Sequence, residues 1–212
     1  MNVIAKLEPN PAFSHPASEA RLAKTVAALE KHGIEVIVVA TKDEARARVL
    51  ALIPEGAEVM TNTSVTLDET GIATAINESG RYEALRPKLF RLDFKTQVRE
   101  MRKLAAAPDY AVGSVHAITE AGEVLIASAS GSQLGPYPYA AGNVIWVAGT
   151  QKIVKDIDDG IRRIREYSFP LEDQRAQAAY GMNSLVSKIL VFLEERGAGR
   201  FTLVLIKEKI GF

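Results

Sequence analysis

Cysteine is absent from the 212 residues. Disulfides, thiolate zinc sites, iron–sulfur ligation and cysteine nucleophiles are therefore excluded from this polypeptide. An excess of charge is missing too, because 26 Lys and Arg balance 26 Asp and Glu. Nucleic-acid binding needs a basic footprint, so no nucleic-acid partner is expected. The richest basic run, Arg162 to Arg165, follows Asp156, Asp158 and Asp159 at spacings that suit a solvated helix face. No apolar stretch approaches the ~20 residues that span a bilayer. The opening MNVIAKLEPNP carries too short an apolar patch for a signal peptide. A cytoplasmic protein with no membrane partner is expected. Phosphate-binding signatures are missing: there is no G-x-x-x-x-G-K-[ST], no G-x-G-x-x-G after a strand and no G-x-S-x-G elbow. Hence no ATPase, dinucleotide enzyme or α/β-hydrolase can be argued, and no cofactor is expected. His15 and His32 lack ligand spacing, so no metal site is expected either.

What remains is a chain that is 47% hydrophobic, enough for one well-filled core, and a single domain over 1–212 is expected. Leu22, Val26 and Leu29 recur at helical spacing before Gly33. The β-branched run 34–39 reads as a strand. Thr41 and Glu44 form a capping box for a helix carrying Ala45, Val49 and Leu52. A short strand at 57–60 precedes a second box, Thr66 with Glu69, and a helix with Ile72, Ala75 and Ile76. Gly71 inside that helix costs about 1 kcal/mol relative to Ala. Further on come a helix near 95–107, strands near 110–118 and 123–128, and a strand at 143–148. Helices holding Ile157, Ile161 and Ile164, and lying between Pro170 and Gly181, follow. The tail reads as a hairpin of 188–194 and 201–207, turning at Arg196–Gly197–Ala198–Gly199. Alternating strands and helices predict an α/β, doubly wound, mostly parallel sheet, with antiparallel hairpin additions at an edge.

Functional residues belong at the carboxyl ends of such strands. Thr61 to Ser64 (including Asn62), Gly113–Ser114 to Glu120, Ser128 to Gly142, and Gly149 to Lys152 should all reach that edge. Small hydroxyls and N–H groups suit a carboxylate or phosphate oxygen, and Lys152 adds a full positive charge. Glu120 is the acid nearest the cluster and a candidate general base or nucleophile. Thr119–Glu120–Ala121–Gly122 is also an ordinary hairpin turn, with Gly122 supplying the positive φ. On a continuous strand His116 and Glu120 would share a face, although a strand histidine is more often a packed, hydrogen-bonded residue. The loop 129–142 is long enough to be a lid or binding loop, with Tyr137 and Tyr139 covering a ligand or a partner.

Four segments in order resemble the LUD (lactate-utilisation) domain family. They are PEGAEVMTNTSVTLDETGI, DYAVGSVHAITEAGEVLIAS, NVIWVAGTQKIVKDIDDGIRRI, and YGMNSLVSKILVFLEE with FTLVLIKEKIGF. The resemblance, from about Phe13 to Phe212, implies a fold similar to sugar-phosphate isomerases and CoA transferases. It also implies association with bacterial L-lactate oxidation beside an iron–sulfur partner protein. It points to Ser64 and Thr66, Glu120 with Gly122, and Gly149 with Lys152 as site residues. With no cysteine, this chain departs from any thiolate-held cluster, so electron transfer would need another polypeptide. The expectation is a LUD-type protein of lactate or organic-acid metabolism. A small anionic metabolite would be held by Asn62, Ser64, Thr66, Ser114, Gly122, Gly149 and Lys152, with Glu120 as acid/base. Alternatives are a CoA-transferase-like or sugar-phosphate-acting enzyme, and a non-catalytic module docking a partner through Tyr137–Tyr139. Symmetric dimers dominate among oligomers, so a homodimer is expected.

Overall fold

The computed structural model describes residues 7–197 and 199–212. The opening hexapeptide and Ala198 of the anticipated tail turn lie outside them. Helix α1 (Glu19–Lys31) starts where the Ser18 hydroxyl accepts from Arg21 N and buries Leu22 and Leu29. Strand β1 (Ile34–Val39) and helix α2 (Lys42–Leu52) follow. The predicted box opens α2 in altered form: Thr41 accepts from Glu44 N, while the Glu44 carboxylate accepts from Ala40 N. Strand β2 (Glu58–Thr61) leads to two short helices, α3 (Val65–Glu69) and α4 (Ile72–Glu78). This corrects the expectation of one helix: Gly71 takes a left-handed φ of 70° between them. The cap is Ser64, whose hydroxyl accepts from Leu67 N, and Thr66 lies inside α3.

Next come β3 (Glu83–Ala84), α5 (Leu85–Leu89), α6 (Val98–Ala106) and β4 (Tyr110–Gly113). Beyond them lie β5 (Ala117–Thr119), β6 (Val124–Ser128), β7 (Asn143–Gly149) and β8 (Ile153–Val154). The chain ends through α7 (Ile157–Arg163), α8 (Phe169–Tyr180), β9 (Lys188–Phe192) and β10 (Phe201–Ile206). A wide helical turn over Ile164–Ser168 joins α7 to α8.

Six strands form a parallel sheet in the order β1-β10-β7-β4-β2-β3, confirming the doubly wound α/β reading. Two expectations are corrected. The antiparallel strands do not extend an edge of that sheet but make a second one, β8-β5-β6-β9. The tail is not a hairpin either: β9 pairs with β6, whereas β10 inserts between β1 and β7. The reason lies in the burial of β10. All six of its residues are buried and all but Thr202 are apolar, as in a strand covered on both faces.

Trp146, Phe201 and Leu203 of the parallel sheet meet Ile118, Val124, Ile126 and Phe192 of the second sheet in one core, closed by Leu22 and Leu29 of α1. Helices α2, α3 and α4 cover the opposite face of the parallel sheet through Val49, Leu67, Ile72 and Ile76. On the outer face of the second sheet, Ala117, Leu125 and Val154 pack under Ile157 and Ile161 of α7. The expected strand 110–118 therefore splits. Its first part ends at Gly113, and Ser114 to His116 carry the chain from one sheet to the other.

Candidate functional site

At this crossing the carboxyl ends of β2, β4 and β7 lie side by side, with Thr61 opposite Val112 and Gly113 opposite Trp146. A cleft of about 290 Å³ opens there. One wall is the parallel sheet's loops, with Asn62, Ser64, Thr66, Ser114 and His116. The other comes from the end of β6, the loop after it, α8 and the segment 184–186.

Lys152 lies at the floor, 1% exposed. Its Nζ donates to Thr66 Oγ1 at 3.1 Å, Ser114 Oγ at 3.0 Å and the Val115 carbonyl at 3.0 Å. Ser114 in turn donates to the Val147 carbonyl at 2.6 Å. All three ammonium protons thus have acceptors, yet every one is neutral. Burial holds the Lys152 pKa well below the usual lysine range, Arg163 lowers it further, and Glu69 acts in the opposite direction.

Arg163, from the end of α7, is a second buried cation. It donates to the His116 carbonyl and to Ser168 Oγ and lies over the Tyr167 ring, while its Nε and Nη2 have no partner among the described residues. Burial pushes its pKa down to about 10.

Between these cations sits His116. Its Nδ1 accepts from Ala127 N at 3.1 Å, which places the proton of the neutral ring on Nε2. Nε2 has no protein partner among the described residues, and the residue lines the cleft. Burial, then Lys152 and Arg163, push the His116 pKa down to about 3, so the ring is a neutral N–H donor at ordinary pH. The nearest wall is braced by Asn62, whose amide donates to the Tyr137 hydroxyl at 2.9 Å. Tyr137 is fully buried, edge-on to Trp146, and fills the space where a Cβ on residue 113 would stand; Gly113 is required there.

Five of the anticipated residues therefore converge on the cleft: Asn62, Ser64, Thr66, Ser114 and Lys152. Glu120 does not. Its carboxylate is bound by Arg21 at 2.7 Å and Lys24 at 2.9 Å on α1, and both hold its pKa below the usual carboxylate range. Nor does it share a strand with His116, because β5 spans only Ala117–Thr119. Gly122 packs on the backbone of Ala28, and Gly149 faces Glu208 and Ile210. The loop 129–142 does contribute Ser130, Ser132 and Gln133 to the cleft, but of its two tyrosines Tyr139 is 90% exposed while Tyr137 is buried. Sequence reasoning passed over Arg163, read as part of a solvated face. A signal existed: Gly160 three residues before it and Tyr167 four after it share its face of the helix, and both are buried. Among the described residues no group of three His, Asp or Glu is arranged to hold a metal.

Comparison with solved structures gives a DUF162 family protein from Deinococcus radiodurans, with a TM-score of 0.55 at 11% identity, covering 90% of this chain and 99% of that one. At such identity the likeness concerns the fold. eIF2B beta from Chaetomium thermophilum aligns at a TM-score of 0.38 and 12% identity over 56% of this chain and 44% of its own. No curated protein matches. The family model of the LUD domain matches residues 22–206. That span takes in both sheets and the cleft residues from Asn62 to Ser184, and the chain belongs to the LUD domain family.

Proposed function

We propose that the cleft binds a small carboxylate carrying an oxygen on the adjacent carbon, a 2-hydroxy or 2-oxo acid of the lactate and pyruvate type. The observation that carries this reading is Lys152, a buried amine with only neutral partners, whose charged form has no counter-charge among them. A buried cation without a counter-charge is costly. A ligand carboxylate beside Thr66, Ser114 and Lys152 supplies that charge. The neutral Nε2–H of His116 then donates to the oxygen on the neighbouring carbon. Asn62 and Ser64 add neutral polar groups at the same wall. The acid/base role anticipated for Glu120 has no place in this reading, since its ion pairs keep it a carboxylate outside the cleft. Family membership supports a setting in lactate or related organic-acid use. With no cysteine in the sequence, an iron–sulfur cluster held by thiolates would have to lie on another polypeptide.

Isothermal titration with lactate, pyruvate and propionate tests the reading. Pyruvate or lactate should bind, and propionate, which lacks the second oxygen, should bind at least tenfold more weakly. Lys152→Met should abolish binding, and its Tm checks that the variant still folds although Thr66, Ser114 and the Val115 carbonyl lose a donor. Unaltered binding in Lys152→Met would refute the assignment.

A further inference from the structure

Residues 86–103 hold seven basic and two acidic side chains in a chain whose total charge is zero. Arg91, Lys95, Arg99, Arg102 and Lys103 are exposed, and none forms an ion pair among the described residues. Several cations elsewhere are paired, as for Arg46 with Asp43, Arg162 with Asp159 and Glu166, and Lys207 with Glu19. Within this unpaired field stand two aromatic rings, Phe90 and Phe94, exposed by 56% and 58% and 6.2 Å apart. The Arg86 guanidinium lies 4.9 Å over Phe90. Its Nη1 and Nη2 donate to Thr61 O and to the hydroxyl of Thr63, a residue of the cleft rim. The patch therefore adjoins the cleft mouth.

We infer that this face docks an acidic protein surface that inserts an apolar side chain between Phe90 and Phe94. Exposed aromatics in a segment rich in exposed cations, with Arg86 over one ring, have the composition of an interface centre and rim. Three of the five unpaired cations are arginines, whose planar fork matches carboxylates two bonds at a time. Two observations favour a protein over a lipid surface or a nucleic acid. First, α6 turns Met101 and Leu104 partly inward, so what it shows to solvent is mainly charge and not an apolar stripe for insertion. Second, Glu100 is exposed among the cations, and it opposes a phosphate-dense surface while suiting a partner of mixed charge. The inference stands on the surface alone and is independent of the ligand in the cleft.

Fluorescence anisotropy with a synthetic Glu/Leu helical peptide tests it, with polyglutamate, heparin and phosphatidylserine vesicles as competitors. The Glu/Leu peptide should bind more tightly than polyglutamate. The double variant Arg99→Glu/Arg102→Glu should weaken it at least tenfold, while Lys31→Glu, on the exposed side of α1, should not. Phe90→Ser should weaken the Glu/Leu peptide and leave polyglutamate unchanged. All these positions are exposed, so an unshifted Tm checks folding. Equal binding by Arg99→Glu/Arg102→Glu would overturn the inference. So would a preference for heparin or vesicles over the peptide, or self-association of the wild type that the double variant abolishes.

Discussion

His116 is held as a neutral donor by three features at once: an amide donating to Nδ1, burial, and the cations Lys152 and Arg163. Its pKa falls from 6.5 in the unfolded chain to about 3 in the fold. Between those values the unfolded state binds more protons, so stability falls as pH falls through this window. Above about pH 5 most carboxylates are ionised in both states and contribute little slope. Denaturant unfolding between pH 6.5 and 5 should therefore lose up to ~1.4 kcal/mol per pH unit through this ring. His116→Gln, which keeps a hydrogen-bonding group toward Ala127 N, should flatten that slope. A slope unchanged in His116→Gln would mean that the ring titrates normally and is not the neutral donor assigned here. Lys152 was legible because it follows a strand and a glycine. His116 was not, since its place depends on the chain leaving one sheet for another between Gly113 and Ala117.

At the level of elements, the clearest departure from local reading is around Gly71. The box at Thr66 and Glu69 with the spacing of Ile72, Ala75 and Ile76 suggests one continuous helix, and in such a helix Gly→Ala would stabilise by about 1 kcal/mol. The fold instead bends there, with Gly71 at φ 70° and Arg46 Nη1 standing 3.3 Å from where a Cβ would be. A left-handed alanine costs roughly 1–2 kcal/mol. Gly71→Ala should consequently destabilise by about that amount, and urea unfolding reads the sign directly. Stabilisation would restore the single helix. The bend also explains Thr66. Its hydroxyl is not a cap because it is engaged by Lys152, and the shortness of α3 lets that turn sit over the β7 end. Elements whose signals are local, such as β1, α2 and the helix between Pro170 and Gly181, were legible. The tail strands misled because Gly197 and Gly199 signal a turn without saying which strands the turn connects.

For the whole molecule, the decisive feature is that two sheets share one core yet contribute opposite walls of the cleft. The parallel sheet could be read from alternating strands and helices. The second sheet could not, because its pairings join β6 to β9 and β5 to β8 across long separations that turn residues do not encode. A ligand that spans the cleft touches both units: Lys152, Thr66 and Ser114 on one side, Ser128, Gln133 and Ser168 on the other. Binding energy is expressed only in the bound conformation, so openings that separate the walls become rarer when the site is filled. Hydrogen exchange with saturating pyruvate should slow amides in 62–67 and also in 128–133 and 184–186. The same addition to Lys152→Met should change neither wall. Protection confined to 62–67 would place the ligand on the parallel sheet alone and leave the second sheet a scaffold. Slowed exchange on both walls would make the gap between the sheets the binding element of the fold.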